Sequence, residues 1–216
     1  MGNEKRITMP KREGYIIEQI ADMKNLEAAN KEAQTGGKAK KNRYIRRHNA
    51  KLTENLQELQ RMILEEDWPE VVYSPMVVDN DNGKRRKVDR KNFYPWRILE
   101  QAIIRVVGIK IWNDLITDSF ACVPGKGLHY GVKRMKKMLS KHPEYKYFWK
   151  TDYKKYYHSI PHSLLKSKLE RKFKDKRFIR LIEITLLNYT PDSETIEEIE
   201  NEYRKTEKRF ANRGKH

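Results

Sequence analysis

Asp152 is the carboxylate whose place in this sequence best suggests chemistry. It lies in an aromatic stretch, EYKYFWKTDY over Glu144 to Tyr153, whose composition predicts a β-strand. A carboxylate at a strand end suits divalent-metal binding, because Mg²⁺ prefers hard oxygen ligands and usually takes one or two carboxylates together with substrate phosphates. The backbone carbonyl of Tyr153 is a further candidate ligand. Capping of the following turn is the commoner role for such an aspartate, so Asp152 alone does not establish a metal site.

A glycine turn earlier in the chain is the second candidate. Residues 124–127 (PGKG) end a loop predicted from residue 118, and a basic amphipathic helix is predicted to follow. The glycines permit close backbone approach by a ligand, and Lys126 is placed to reach a phosphate. The inner, core-facing side of the helix is predicted to carry Val132, Met135, Met138 and Leu139. A turn of this kind is a weak signal by itself.

A β-hairpin with a basic second strand is the third candidate. The runs VVYSPMVV and RRKVDRKNF flank DNDNG, and Asn82-Gly83 is a strong turn signal. Four consecutive basic residues follow that turn: Lys84, Arg85, Arg86 and Lys87. The pattern predicts a two-stranded ribbon that presents positive charge near its tip.

The charge balance favours a polyanionic partner. Lys and Arg total 47 against 30 Asp and Glu, which gives a formal net charge of +17 in 216 residues. Each phosphate that such a surface neutralises releases condensed counterions, and with 12 Tyr and 4 Trp the partner class indicated is nucleic acid. A merely soluble basic protein is the alternative. The basic stretch from Lys38 to Lys51 is equally well a phosphate-binding arm or a solvated linker.

The segment KTDYKKYYHSIPHSLL, residues 150–165, resembles the first catalytic motif of reverse transcriptases. The resemblance is closest to the bacterial and phage group that includes diversity-generating retroelements, with group II intron and retron enzymes as more distant relatives. It implies that Asp152 binds both catalytic metal ions, Mg²⁺ or alternatively Mn²⁺. It also implies that Tyr157 packs beneath the incoming nucleotide and excludes a 2′-hydroxyl.

Two further segments resemble the same family in the expected order. DSFACVPGKGLHYGVKRM, residues 118–135, is similar to the segment that positions template and nucleotide. GKRRKVDRKNFYPWRILEQAI, residues 83–103, is similar to the fingers hairpin and the helix after it, which places Lys84 and Arg86 on the nucleotide triphosphate. Arg97 matches the arginine of an Asp-Arg pair in the family, but Trp96 replaces the aspartate.

The rest of the expected catalytic centre is missing from this sequence. Two-metal polymerisation in the family uses three carboxylates, two of them from a Tyr-x-Asp-Asp turn. The sequence contains no Asp-Asp pair, and the aspartates after Asp152 are Asp175 and Asp192, neither of which follows a strand–turn pattern. We therefore expect the isolated chain to lack polymerase activity. A truncated protein, a disrupted gene and one subunit of a split enzyme all fit this pattern.

The fold that these patterns predict is α+β and mostly helical, with a fingers β-hairpin and an incomplete palm. Helices are expected over residues 15–30, 52–63, 96–107, 128–139, 161–173 and 178–187. The resemblance divides the chain into a helical N-terminal region with a basic arm (1–70), fingers (71–143), the first part of the palm (144–189) and a charged tail that is a marginal helix or disordered (190–216).

The partners implied are an RNA template, a DNA primer and dNTP, with a partner chain as a candidate source of the rest of the palm. No apolar run approaches the length of a membrane span, so a membrane partner is not expected. A single cysteine and a polar N-terminus without an apolar core are typical of a cytoplasmic protein. A non-catalytic RNA- or DNA-binding protein on a fingers-like scaffold is the alternative function.

Overall fold

The computed structural model describes residues 12–35, 42–79, 85–153, 156 and 160–187, with backbone alone for 75–79, 85–87 and 187. This part of the chain is mostly helical with one β-hairpin, an α+β chain in coarse class. The elements are α1 (Ile16–Ala21), α2 (Met23–Ala33), α3 (Arg43–Ala50), α4 (Leu52–Glu65), β1 (Ser74–Asp79), β2 (Arg85–Arg90), α5 (Ile98–Trp112), α6 (Leu128–Lys141), α7 (His162–Lys172) and α8 (Lys176–Ile182). A π-helical turn over Phe93–Arg97 precedes α5, and another over Glu183–Leu187 follows α8.

The chain divides into two compact units. The larger unit comprises residues 1–106 and 155–216, and the smaller unit comprises residues 107–154. The larger unit contains an apolar core to which α1, α2, α4, α5 and α8 contribute. Its largest fully buried side chains are Ile16, Ile17, Ile20, Leu26, Leu59, Ile63, Trp96, Ile98, Leu99, Phe173, Phe178 and Leu181. No helix in the described ranges is long and apolar enough to cross a bilayer.

The helix predicted over residues 15–30 is present but broken in two at Asp22. The Asp22 backbone is extended, and its side chain accepts the backbone N–H of Asn25 at 3.1 Å, so it caps α2 immediately after α1 ends. An aspartate stabilises a helix start by satisfying an otherwise unpaired N–H. Periodicity alone does not reveal this break, because Ile20, Met23 and Leu26 keep helical spacing across it.

The basic stretch of residues 38–51 is partly helical, since residues 43–50 form α3. Ile45 and His48 are buried, whereas the arginines of this helix are exposed. Residues 36–41 lie outside the described part. The solvated-linker hypothesis is therefore wrong for residues 43–50, which pack one face on the protein and turn a basic face outward.

The predicted hairpin is confirmed. β1 and β2 pair antiparallel from Ser74 opposite Arg90 to Asp79 opposite Arg85. Residues 80–84 connect the two strands in the sequence, and they lie outside the described residues; Lys84 is one of them. Arg86 is opposite Val78 in the ladder, and nothing is described of its side chain.

The base of the hairpin is tied to the core through Lys91. Its amine contacts a carboxylate oxygen of Glu100 at 2.6 Å and donates to the carbonyl of Thr185. The amine also lies 5.5 Å from the ring centroid of Tyr73 and 5.9 Å from that of Trp96, within cation–π range. One lysine thus joins the strand end to α5 and to the turn after α8.

Long-range contacts join the two ends of the described larger unit. Glu13 donates its backbone N–H to the carbonyl of Lys172 at 3.0 Å and accepts the N–H of Lys174 at 2.7 Å. Arg180 binds Glu66 through two contacts of 2.6 Å, and these hydrogen bonds lower the pKa of the Glu66 carboxyl. The helices predicted over residues 161–173 and 178–187 are confirmed as α7 and as α8 with its terminal turn.

The smaller unit contains α6 and the loops on both sides of it. Helix α6 is confirmed, but the prediction that Val132, Met135, Met138 and Leu139 form its inner face is wrong, because all four side chains are exposed. An amphipathic pattern specifies an apolar face without specifying that this chain covers it.

The strand predicted over Glu144 to Tyr153 is also absent: residues 145–153 have no regular secondary structure. A β-strand exists only when a neighbour pairs with its backbone groups. Among the described residues, paired strands occur only in the hairpin. The expected first palm strand is therefore not formed, and the palm stays a hypothesis.

Candidate functional site

Three of the six residues predicted to form the site are described with side chains, and all three belong to the smaller unit. These are Lys126, Asp152 and Tyr153. Arg86 lies on β2 of the larger unit with only its backbone described, and Lys84 and Tyr157 lie outside the described residues. Asp152 and Tyr153 are exposed. The three described residues thus share one compact unit.

The glycine turn has the geometry needed to present Lys126. Gly125 has φ of 72°, in the left-handed region that glycine adopts without strain, and the N–H of Lys126 donates to the carbonyl of Val123 at 3.0 Å. The Lys126 amine donates to the carbonyl of Thr117 at 2.8 Å. Gly127 is the N-cap of α6 and has extended backbone. The turn therefore delivers a lysine to the start of a basic helix.

The loop before this turn is held on α6 by an ion pair and by ring packing. Arg134 donates to Asp118 at 2.7 Å, and this hydrogen bond lowers the pKa of Asp118 and raises that of Arg134. The rings of Phe120 and Tyr130 lie 5.8 Å apart. The positions of the loop and of Lys126 are thereby fixed relative to the helix.

Helix α6 separates apolar and basic faces. Its basic residues, Lys133, Arg134, Lys136, Lys137 and Lys141, occur without any acidic residue in the helix. Its apolar face and the preceding loop line an open groove of roughly 780 Å³, whose apolar lining includes Phe120, Val123, Pro124, Leu128, Val132 and Met135. Both faces are available for binding in the described chain.

The aromatic segment after α6 is highly exposed. Tyr147, Phe148 and Trp149 are 95%, 92% and 91% exposed. Sequence reasoning interpreted these residues as a strand and assigned them no contact with a ligand. The available signal was the run Tyr-Phe-Trp between Lys146 and Lys150, a pattern of aromatic residues enclosed by positive charge.

The described residues do not make up a two-metal site. No group of three or more His, Cys, Asp or Glu side chains able to hold a metal occurs in the described ranges. Asp152 is an exposed carboxylate, which fits one ligand of a Mg²⁺ ion that takes its remaining ligands from water or phosphate. The backbone carbonyl of Tyr153 stays a candidate second ligand. No catalytic step through metal ions follows from this arrangement.

Asp175 is the carboxylate whose role sequence reasoning missed. Its side chain accepts backbone N–H groups from α8 and also from α1, so its function is to cap helices. The sequence shows no strand–turn pattern at this position. The contact with α1 has no local signal, because 159 positions separate Asp175 from Ile16.

Comparisons with known proteins add no assignment: no protein-family model matches the chain, and no curated protein matches it.

Proposed function

We propose that this chain is the N-terminal part of an RNA-directed DNA polymerase that binds RNA template, DNA primer and dNTP but does not polymerise by itself. The observation that carries the proposal is the turn at residues 124–127, which presents Lys126 at the start of the basic helix α6. Asp152 belongs to the same compact unit. The three segments that resemble reverse transcriptases supply the reaction class.

Phosphate binding is the role proposed for the basic residues of the site. The Lys126 amine is bonded to a neutral carbonyl, that of Thr117, and a phosphate offers it a stronger, charge-assisted hydrogen bond. Lys84 and Arg86, near the tip of the hairpin, are proposed to bind the triphosphate. The proposal places Tyr157 beneath the sugar of the incoming nucleotide.

Asp152 is proposed as a ligand of Mg²⁺, or of Mn²⁺ in its place, with the carbonyl of Tyr153 beside it. When bound, the metal ions would neutralise the negative charge of the phosphates. The sequence contains no Asp-Asp pair, so we propose that a downstream palm segment or a partner chain supplies the remaining carboxylates. A cytoplasmic location is proposed with this function.

Primer extension with a restored palm tests the proposal. The downstream palm of a related enzyme is added in trans or by fusion, and extension of a DNA primer on an RNA template is measured with Mg²⁺ and with Mn²⁺. We expect extension that Asp152→Asn abolishes and that Asp175→Asn reduces only as far as it reduces the folded fraction. Extension unaffected by Asp152→Asn, or efficient extension by the 216-residue chain alone, would refute the proposed mechanism.

A non-catalytic RNA- or DNA-binding protein is the second candidate function. The exposure of Asp152, without a cluster of metal-binding side chains in the described ranges, favours it. Both candidates predict nucleic-acid binding that weakens steeply with salt, since phosphate neutralisation releases counterions. They differ in dNTP binding: the polymerase proposal requires that Mg²⁺ strengthens dNTP binding and that Asp152→Asn removes this effect, whereas the alternative predicts no effect of either.

A further inference from the structure

The aromatic segment of the smaller unit is an exposed apolar surface that is suited to binding another molecule. Tyr147, Phe148 and Trp149 follow one another in the chain, and each is more than nine-tenths exposed. Contiguous exposed apolar side chains of this size mark sites of interaction with another molecule. Aromatic rings bury large areas and pack specifically on flat partners.

The charge around these rings indicates the class of partner. Lys146 and Lys150 stand directly before and after the three aromatic residues, and the smaller unit contains ten Lys and Arg against four Asp and Glu. Asp118 is paired with Arg134, and Glu144 with His142. An apolar protein surface would have to bury these lysines without counter-charges, at a high desolvation cost, whereas a polyanion satisfies them.

His142 fixes the start of the aromatic segment at the end of the basic helix. Its ring stacks on that of Tyr145 at 4.8 Å with only 9° between the planes, and its carbonyl accepts the Tyr145 N–H at 3.1 Å. Glu144 contacts its Nδ1 at 2.9 Å. The turn engages the ring of Tyr145, whereas the next three aromatic rings along the chain, those of Tyr147, Phe148 and Trp149, stay exposed.

We propose that Tyr147, Phe148 and Trp149 form a stacking platform for the bases of single-stranded nucleic acid. Lys146, Lys150 and the basic face of α6 bind its phosphates. Single strands are specified because the base faces of a duplex are already stacked on one another. Stacking on aromatic side chains is tolerant of base identity, so little sequence preference follows. The inference rests on the proposed function for its partner class and adds the residues and the strandedness.

Affinity for oligonucleotides tests the platform. A labelled oligothymidylate and a blunt duplex of equal length are titrated with the full chain and with Phe148→Ala, Trp149→Ala and the double variant. We expect about a tenfold loss of single-strand affinity for each aromatic residue removed and a smaller loss for the duplex. Ile116→Ala is the matched control, because Ile116 is 75% exposed in the same unit and lies outside the platform.

The fluorescence of Trp149 separates stacking from an indirect structural effect. Trp149 is exposed, whereas Trp96 is buried, so a base stacked on Trp149 should quench a solvent-exposed component of the emission. Trp149→Phe should keep single-strand affinity within about threefold, because phenylalanine also stacks. The same variant should lose the quenching. Circular dichroism of every variant checks that the helices remain folded.

Three outcomes overturn the inference in distinguishable ways. If the double variant binds single strands with wild-type affinity, the platform inference is wrong and the proposed function is unaffected. If the wild-type chain binds no nucleic acid, both the platform inference and the proposed function are wrong. A double variant that changes the oligomeric state in sedimentation, with unchanged oligonucleotide affinity, identifies the segment as a contact between protein chains instead.

Discussion

The carboxylate of Asp175 accepts the backbone N–H of Ile16 at 2.8 Å, although 159 positions separate the two residues. The same oxygen accepts the N–H of Ile17 at 3.1 Å, and the second oxygen accepts the N–H of Arg177 at 3.1 Å. One side chain therefore caps α8, where it is the N-cap residue, and α1, whose own N-cap residue provides no side-chain bond. One carboxylate thus caps a helix near each end of the described larger unit.

Replacement of Asp175 by alanine should destabilise the protein more than the loss of an ordinary cap. Loss of one N-cap costs about 0.5–2 kcal/mol, so loss of two should cost about 1–4 kcal/mol. Asp175→Asn keeps one acceptor oxygen and should fall between alanine and the wild type. The free energy of unfolding from denaturant titration measures the effect.

Asp22→Ala is the matched control for this prediction. Asp22 accepts one backbone N–H, that of Asn25, and caps α2 alone. Its replacement should cost about 0.5–2 kcal/mol. Equal losses for Asp22→Ala and Asp175→Ala would show that the contact with α1 contributes nothing.

His48 should make the stability of the protein fall in mild acid. The ring is only 4% exposed and stacks on Tyr94 at 5.2 Å, and its Nε2 has no hydrogen-bond partner among the described residues. Burial lowers the pKa of His48 below its ordinary value of 6.5. Because the unfolded chain takes up this proton more readily than the folded chain, stability should be full above about pH 6.5 and decline as the pH falls.

Unfolding titrations between pH 8 and pH 5 measure this dependence. His48→Gln should reduce the difference in stability between the two ends of the range, even if the variant is less stable throughout. His142→Gln serves as a control, since His142 is an exposed histidine in the smaller unit. An unchanged pH profile in His48→Gln would exclude His48 as the cause.

Local patterns in the sequence predicted most of the helices, because helical periodicity is carried by neighbouring residues. The spacing of Leu52, Leu56, Leu59 and Ile63 predicts α4, and Asn82-Gly83 predicts the hairpin. The predictions were wrong where the local structure depends on residues that are distant in the sequence. A strand at residues 144–153 requires a paired neighbour, and a core-facing side of α6 requires an element that covers it.

The candidate site was predictable in part for the same reason. The turn at residues 124–127 is local, and the structure contains it with Gly125 in the left-handed conformation that only glycine adopts freely. The position of Asp152 relative to further metal ligands depends on long-range pairing and stays a prediction. The cap that Asp175 provides for α1 is equally long-range, so no local pattern indicates it, whereas its cap of α8 is local.

The side chain of Lys91 should stabilise the fold, although lysine is rarely buried in proteins. Its side chain is 11% exposed and that of Glu100 is 28% exposed, so the pair is largely shielded from water. Lys91→Met leaves Glu100 without its partner and should cost about 3 kcal/mol, the low end for a buried pair because Glu100 keeps some access to water. Lys91→Met combined with Glu100→Leu should recover part of that loss, because no unpaired charge remains. Thermal unfolding of Lys91→Met, of Glu100→Leu and of the double variant measures the coupling energy between the two residues. Strictly additive losses would contradict the coupling.

The two glycines of the turn should respond differently to alanine. Gly125 has φ of 72°, so Gly125→Ala should cost about 1 kcal/mol of stability. Gly127 has extended backbone, and a Cβ placed there meets nothing within 4 Å, so Gly127→Ala should change stability by no more than about 0.5 kcal/mol, because the poorer N-cap is offset by the lower entropy of the unfolded chain. A loss of nucleic-acid or dNTP affinity in Gly127→Ala would then report a ligand that approaches this backbone closely. Unfolding curves and binding titrations of the two variants check both halves of the prediction, and a larger destabilisation of Gly127→Ala than this would contradict the described turn geometry.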